Sequence, residues 1–252
     1  MAAVPIAIIG ISGRMGQSLI QALRELPPSP TLALTGAVAS AGSNRVGLDA
    51  AGEGAATGVK VTADLTAALR GAQVALDFSQ PGALLEHARA CAAAGVALLV
   101  GVTGFDAAAR AELQNLSRQV PVMLAPNTSV GIAVVNELAA AAAKTLGAAW
   151  DVEIAEVHHA GKRDSPSGTA LKLAETLAQA RGQTLGDIGI SALRQGDIVG
   201  EHTVRFTTAG ERIEIAHRAT DRMLFARGAL RAAQWLVGRP PGLYGMKDVL
   251  GL

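Results

Sequence analysis

Short apolar runs that alternate with helical stretches constrain the first half of this chain more than any other feature. Val4–Ile9, Leu32–Val38 and residues 74–78, 96–100 and 121–124 are typical of buried strands. Stretches with helical periodicity follow most of them. Strands that alternate with helices of this length form parallel sheets, because a parallel neighbour requires a crossover connection. The sequence therefore predicts an α/β fold with a doubly wound parallel sheet.

A glycine-rich turn follows the first predicted strand. Residues 10–16 read Gly-Ile-Ser-Gly-Arg-Met-Gly, and a helix is predicted from residue 17 to 26. A strand, a glycine turn and a helix start are typical of a Rossmann-like dinucleotide-binding unit, in which helix amides face a phosphate. The spacing is G-x-x-G-x-x-G rather than G-x-G-x-x-G, so a tight turn without a ligand is the alternative.

Other strand ends support the dinucleotide interpretation. The segments that follow the strands ending near residues 78, 100 and 124 should meet the glycine turn, because ligands of such sheets lie beyond the carboxyl ends of the strands. The predicted cofactor-binding residues are Gly10, Ile11, Ser12, Gly13, Arg14, Met15, Ser40, Gly101, Val102, Thr103, Ala125, Pro126, Asn127 and Thr128.

The second strand ends without an acidic residue. A carboxylate there usually holds the ribose hydroxyls of NAD and repels the extra phosphate of NADP. Residues 36–45 contain no Asp or Glu, but they include Ser40, Ser43 and Arg45. We therefore expect use of NADPH and NADH, with a preference for NADPH. Arg45 either reaches the phosphate or is a solvated loop residue.

Residues 152–170 hold the densest set of chemically useful groups. They begin as a strand, break at Gly161 and continue as a helix, for which Ser165 is the predicted N-cap and Pro166 the first residue. His158, His159 and Lys162 lie just before that helix start, whose free amides favour an anion such as a carboxylate. A histidine can supply a proton near neutral pH.

Two other interpretations of this segment are open. One is a structural strand-to-helix corner with a surface lysine. The other is a metal site, which is disfavoured because no cysteine or further histidine lies nearby at a ligand spacing.

A second domain is predicted after the sheet. Residues 130–146 form a long alanine-rich helix, and residues 203–207 and 212–216 read as paired strands. We expect an α+β domain with a mainly antiparallel sheet, spanning residues 130–239 and including a helix at 223–236 capped by Asp221. Residues 1–129 and 240–252 form the dinucleotide-binding domain.

Several of these stretches resemble one known family. Residues 153–170 follow the pattern E-I-x-E-x-H-H-x-x-K-x-D-x-P-S-G-T-A, which closely resembles the signature of dihydrodipicolinate reductases. The segments at 10–16, 77–81, 101–104, 125–129 and 191–202 are similar to further stretches of that family. Val102 departs from the pattern, since a threonine is common there.

The resemblance implies a specific reaction. It is the reduction of 4-hydroxy-tetrahydrodipicolinate to tetrahydrodipicolinate by NADPH or NADH, in lysine and diaminopimelate biosynthesis. It further implies that His158 donates the proton with Lys162 as partner, and that His159, Gly168 and Thr169 bind the substrate. A homotetramer is expected. The alternatives are another two-domain dehydrogenase of a small carboxylate and a non-catalytic nucleotide-sensing module.

Composition limits the remaining function classes. The net charge of the 252 residues is +1, which gives no case for nucleic acid or an anionic membrane as partner. Cys91 is the single cysteine and fits a reducing compartment. The sequence predicts no membrane helix, because no apolar run reaches about 20 residues, and it shows no signal-peptide pattern. A cytoplasmic location is expected.

Overall fold

The computed structural model describes residues 3–25 and 32–252. Its strands are β1 (Val4–Ile9), β2 (Leu32–Val38), β3 (Val61–Thr62), β4 (Val74–Asp77), β5 (Ala97–Val100), β6 (Pro121–Leu124), β7 (Asp151–His158), β8 (Gly189–Arg194), β9 (Gly200–Thr208), β10 (Glu211–Ala219) and β11 (Gly242–Tyr244). Its helices are α1 (Arg14–Glu25), α2 (Leu65–Leu69), α3 (Leu84–Ala94), α4 (Ala107–Leu116), α5 (Val130–Leu146), α6 (Gly168–Arg181), α7 (Met223–Leu236) and α8 (Met246–Leu250).

The first sheet confirms the predicted parallel α/β architecture. Its strand order is β11-β6-β5-β4-β1-β2-β3, and neighbouring strands pair in parallel. All four residues of β4 and of β5 are buried, as expected where helices cover both faces of a parallel sheet. The continuous apolar runs in the sequence therefore mark strands that face the core on both sides. The predicted helix at 17–26 begins earlier, at Arg14, and residue 26 lies outside the described residues.

Glycines permit close contact between loops at the carboxyl edge of this sheet. Gly10 has a φ of +85°, and a Cβ there would lie 2.8 Å from the backbone of Phe78. A Cβ on Gly101 would lie 2.1 Å from the ring of Phe78. The segments after β1, β4 and β5 thus meet, as the sequence predicted.

The second sheet is mixed, with the order β10-β9-β7-β8. β9 pairs antiparallel with β7 and β10, whereas β7 and β8 are parallel. The mainly antiparallel α+β prediction is confirmed. The core against this sheet is formed by side chains of the two longest helices of the unit and of the strands, including Val135, Ala139, Ile154, Leu173, Leu177 and Phe206.

The chain divides into two compact units. One comprises the described residues of Met1–Thr128 together with Phe225–Gly251, and the other comprises Ser129–Leu224 with Leu252. The predicted domain boundary at 129/130 is within one residue of this division. The chain returns to the first unit at Phe225, whereas the predicted return was at residue 240, 15 residues later. Helix α7, which the sequence analysis placed in the second domain, packs almost wholly in the first unit, where its Ala229 and Leu230 are buried.

Helix α6 begins two residues later than predicted. Its N-cap is Ser167, whose hydroxyl accepts a hydrogen bond from the amide of Ala170. The Ser165–Pro166 peptide is cis, and neither residue belongs to the helix. The predicted N-cap at Ser165 is therefore wrong, while Gly168 and Thr169 do form the first turn.

The prediction that no apolar run reaches the length of a membrane helix is wrong. Val130–Ala149 has the length and mean hydropathy, 1.3, of a membrane span. Within the second unit α5 packs against α6 and β10, and its Val135, Ala139 and Ala143 belong to the core. A core helix passes the same test of length and composition, so the segment is weak evidence for a membrane span.

Replacement of Gly16 by alanine should destabilise the first unit. A Cβ at this position would lie 2.6 Å from the carbonyl oxygen of Gly10 and from Ile11. Overpacking of this kind costs about 1–3 kcal/mol. Denaturant unfolding of Gly16→Ala checks it, with Gly82→Ala as the matched control because a Cβ there meets nothing within 4 Å. Equal stability of the two variants would contradict the packing argument.

Candidate active site

The buried face of β7 changes from apolar to polar along its length. Ile154, Glu156 and His158 alternate with more exposed neighbours, because successive side chains of a strand point to opposite faces. Ile154 lies in the core, and Glu156 and His158 are only 1% and 7% exposed. Polar groups this deep require hydrogen-bond partners.

Glu156 is the best-partnered of these groups. Its Oε1 accepts hydrogen bonds from the amide of Ser167 at 3.0 Å and from Nη2 of Arg194 at 2.8 Å. Its Oε2 is bonded to Nη1 of Arg194 at 3.1 Å and to Nδ1 of His158. Burial alone would raise the pKa of Glu156, but the bonds from Arg194, Ser167 and His158 together lower it. The carboxyl group is therefore ionised at neutral pH.

His158 lies against two further groups of β9. Its ring meets the ring of His202 edge-on, with centroids 5.0 Å apart. A Cβ on Gly200 would lie 2.9 Å from Nε2 of His158, so the missing side chain leaves room for the imidazole. Burial lowers the pKa of His158, and the bond and charge of Glu156 oppose this effect.

A row of buried polar groups crosses the sheet beside His158. His202 pairs in register with Glu156, and His217 pairs with His202. Nε2 of His202 lies 3.1 Å from Oγ of Ser167, the α6 N-cap, and Nε2 of His217 lies 3.4 Å from Oγ of Ser129, the α5 N-cap. Burial lowers the pKa of His202 to about 4 and also lowers that of His217.

The loop between β7 and α6 carries the predicted lysine. Lys162 Nζ forms an ion pair with Oδ1 of Asp164 at 2.8 Å. This pair and the amide of Gly168 help to lower the pKa of Asp164. Nη2 of Arg194 donates to the carbonyl of Asp164 at 2.7 Å, which ties the loop to β8. His159 is partly exposed, and its carbonyl accepts from the amide of Lys162 at 3.1 Å.

A metal site was disfavoured from the sequence, and the structure adds a physical argument. Glu156, His158 and His202 place possible ligand atoms within 4.8 Å of one another. Both oxygens of Glu156, however, already accept two hydrogen bonds each. A metal ion would have to displace these donors beside a guanidinium. The geometry favours a hydrogen-bonded cluster.

The predicted cofactor residues lie in the first unit at the carboxyl edge of the sheet. Gly13 and Arg14 lie at the start of α1, and Arg14 is exposed. Oγ of Ser12 lies 3.4 Å from Oγ of Ser43, which places the loop after β2 beside the glycine turn. The glycine cradle that a Cβ on Gly10 would fill fits a dinucleotide phosphate.

Other predicted cofactor residues follow β2, β5 and β6. Val102 and Ala125 are buried, so only their backbone is suited to a ligand. The hydroxyl of Thr128 donates to the carbonyl of Phe225 at 2.7 Å and is thus engaged within the protein. Of the remaining predicted residues, Ile11 is buried and Met15 lies in the first turn of α1. The others, which follow β2, β5 and β6, are Ser40, Gly101, Thr103, Pro126 and Asn127.

Arg45 supports a loop in the structure. Its Nη2 donates to the carbonyls of Asp49 and Ala50, at 3.2 and 3.3 Å. Asp49 in turn accepts from the amides of Ala51, Thr57 and Gly58, which lower its pKa to about 2. The guanidinium therefore braces the loop after β2.

Sequence reasoning missed four groups that complete the site. Glu156 and Arg194 lie within stretches quoted for the family resemblance, and the strand period alone would have placed Glu156 on the face of His158. Ser167 and His202 also lie within these stretches, but no role was predicted for either. They join the site through the helix start and through cross-strand pairing, respectively.

Comparisons with known proteins cover nearly the whole chain. The family model "Dihydrodipicolinate reductase, N-terminus" matches residues 4–128, and "Dihydrodipicolinate reductase, C-terminus" matches residues 131–250. The chain is 50% identical to the 4-hydroxy-tetrahydrodipicolinate reductase of Anaeromyxobacter dehalogenans, covering 98% of this chain and 97% of the relative. It is 47% identical to that of Thiobacillus denitrificans, covering 99% of each.

A solved structure supports the fold. Dihydrodipicolinate reductase from Paenisporosarcina sp., determined with dipicolinate bound, superposes with a TM-score of 0.82. The match covers 98% of this chain and 99% of the other, at 23% identity.

Acid should destabilise the second unit through its buried histidines. Folding lowers the pKa of His202 from 6.5 to about 4. The unfolded chain therefore binds more protons between these values, so stability should fall as the pH falls from about 6.5 to about 4. His158 and His217 shift in the same direction. The Tm of His202→Gln should depend less on pH in this window than that of the unmutated protein. Equal slopes would contradict the assignment.

Proposed function

This chain belongs to the dihydrodipicolinate reductase family, and on that premise we propose which residues carry out its reaction. The reaction is the NAD(P)H-dependent reduction of 4-hydroxy-tetrahydrodipicolinate in lysine and diaminopimelate biosynthesis. Conversion to tetrahydrodipicolinate takes up one hydride and one proton and releases water. When bound, the nicotinamide supplies the hydride, so the protein has to supply the proton and hold a dicarboxylate.

His158 is the proton donor in this proposal. The observation that carries it is the bond between the Nδ1 of this buried imidazole and the Glu156 carboxylate, which stabilises the protonated ring. Burial and the positive charges of Lys162 and Arg194 lower the pKa of His158. A bound dicarboxylate brings negative charge to the same place and raises that pKa again. Protonation of His158 is thereby linked to the presence of substrate.

Lys162 and the start of α6 bind the substrate carboxylate. Gly168 and Thr169 form the first turn of a 14-residue helix, where backbone amides and the helix dipole favour an anion. Lys162 adds a full positive charge, and His159 a partly exposed imidazole on the same loop. A substrate carboxylate replaces Asp164 as the ion-pair partner of Lys162. The second unit is thus the substrate-binding domain, and the first unit binds the cofactor.

NADPH is the preferred cofactor in our proposal, and NADH is also used. Residues 36–45 provide no carboxylate to hold the ribose hydroxyls of NAD. Arg14, Ser40 and Ser43 provide a guanidinium and hydroxyls for the additional phosphate of NADPH. Arg45 contributes through the loop it braces, because its guanidinium is bonded to backbone carbonyls.

The protein forms a homotetramer in the cytoplasm under this proposal. On the face of the second sheet opposite its core, Leu193 is 52% exposed. A sheet with one buried face favours cover of its open face by another copy of the chain. The expected small-molecule partner is the dicarboxylate, with no nucleic acid and no membrane. A soluble nicotinamide cofactor and a small-molecule substrate fit a cytoplasmic enzyme.

Loss of the imidazole should affect chemistry more than cofactor binding. His158→Ala should lower kcat by roughly 10²–10⁴-fold, the usual contribution of a general acid, with little change in the Kd for NADPH. Lys162→Ala should lower kcat and raise the substrate KM, whereas Lys172→Ala, on the exposed side of α6, should do neither. The assay follows loss of NADPH absorbance with freshly made substrate. Near-normal kcat in His158→Ala would overturn the proton-donor role.

The preference for NADPH over NADH should depend on the guanidinium of Arg14, which lies at the glycine turn. The unmutated enzyme should show a higher kcat/KM with NADPH than with NADH. Arg14→Ala should lower kcat/KM for NADPH more than for NADH, because only NADPH carries the additional phosphate. Arg118→Ala, an exposed residue just after α4, is the matched control. A higher kcat/KM with NADH in the unmutated enzyme would contradict the proposed preference.

A further inference from the structure

The imidazole of His158 lies in a slot whose walls come from three strands. Glu156 on β7 meets Nδ1, and the open side of Gly200 on β9 faces Nε2. His202, also on β9, meets the ring edge-on. Arg194 on β8 holds the carboxylate that holds the ring. These neighbours of the imidazole thus all lie on strands of the second sheet.

Glu156 is itself held more firmly than a single ion pair would hold it. Arg194 approaches it in a bidentate arrangement, which fixes the carboxylate plane as well as its position. The amide of Ser167 adds a bond from the start of α6. Because Glu156 is 1% exposed, water does not compete for these contacts. The carboxylate can therefore set the direction of the Nδ1 proton.

We propose that Glu156, clamped by Arg194, is a positioning residue that keeps the Nδ1 proton of His158 in place and directs Nε2 to the substrate. This inference rests on the proposed function, in which His158 donates the proton. A neutral His158 would carry its proton on Nδ1, and protonation would add the transferable proton at Nε2. Glu156 does not touch the substrate in this arrangement, and it acts through the ring.

The same geometry explains why glycine is needed at position 200. Any Cβ there would lie 2.9 Å from Nε2 of His158, and 3.2 Å from Cδ2. The ring is bonded to Glu156 at Nδ1, so relief of this contact would distort that bond. Gly200 therefore leaves open the space beside Nε2 that a side chain would fill.

Removal of the negative charge at position 156 should shift the pKa of His158 in a defined direction. Four charged or titratable groups interact with His158 in the described structure. They are Glu156 on β7, Arg194 on β8, His202 on β9 and Lys162 on the loop between β7 and α6. Of these only Glu156 favours the protonated ring. Glu156→Gln should therefore lower the pKa of His158. The ratio of unmutated to variant kcat should rise with pH until both rings are deprotonated.

The test combines histidine nuclear magnetic resonance with the pH profile of kcat. In Glu156→Gln the His158 resonances should titrate at lower pH and lose the Nδ1–H tautomer, and kcat at the optimum should fall roughly 10- to 100-fold, less than for loss of the ring. Glu153→Gln is the matched control. It lies on the opposite face of β7, and Glu153 also pairs with an arginine, Arg205, at 3.2 Å. It should leave both readouts unchanged.

Gly200→Ala provides a second variant if Glu156→Gln does not fold. It should lower kcat and perturb the His158 resonances while the Kd for NADPH stays the same. Gly189→Ala on β8 is its control, since a Cβ there has only an ordinary contact at 3.8 Å.

The outcomes separate the two proposals. An unchanged His158 tautomer and titration in Glu156→Gln, or in Gly200→Ala where that variant replaces it, would overturn the positioning role. Changed resonances with an unmoved pH profile of kcat would support the positioning role and overturn His158 as the proton donor. Changes in both would support both.

Discussion

A carboxylate buried to 1% exposure has to be met by donors, and Glu156 is met by groups from three separate segments. His158 contributes from β7, Arg194 from β8 and the amide of Ser167 from the start of α6. Removing one partner of such a buried pair costs about 3–5 kcal/mol, because the other charge is left uncompensated. The strand, its parallel neighbour and the helix start are therefore bound to one another through a single side chain, and the active-site loop is held between them.

This interaction also distinguishes one histidine from its neighbours. His158, His202 and His217 are all partly or wholly buried on the same sheet, and burial lowers the pKa of each. Within the described part of this sheet, a carboxylate contacts only the ring of His158. Nδ1 of His202 and of His217 are buried without a hydrogen-bond partner in the residues described. Glu156 stabilises a proton on His158 by a hydrogen bond and by its charge, whereas it acts on His202 by charge alone. In the proposed mechanism this difference makes His158 the proton carrier.

The sequence predicted what depends on neighbours along the chain. The run at Val4–Ile9 and the helix at Val130–Leu146 have the predicted bounds, because strand and helix periods are local. The start of α6 was predicted too early because Ser165 and Ser167 both lie just before the helix and serine is a favoured N-cap residue. Ser167 is the N-cap, and its amide and hydroxyl also bond to Glu156 and His202, which are 11 and 35 residues away in the chain. The pairing of His202 with Glu156 and the packing of α7 likewise depend on tertiary contacts that no local pattern records.

The same segment contains a second ion pair with the opposite character. Lys162 and Asp164 meet at 2.8 Å, but their side chains are 21% and 58% exposed. Pairs of this kind contribute about 0–1 kcal/mol, since water screens them and the side chains lose freedom. A dicarboxylate that also meets the amides at the start of α6 can therefore displace Asp164 at little cost. In the proposed mechanism, the rigid buried pair orients the proton donor, and the exchangeable exposed pair lies where the substrate carboxylate binds.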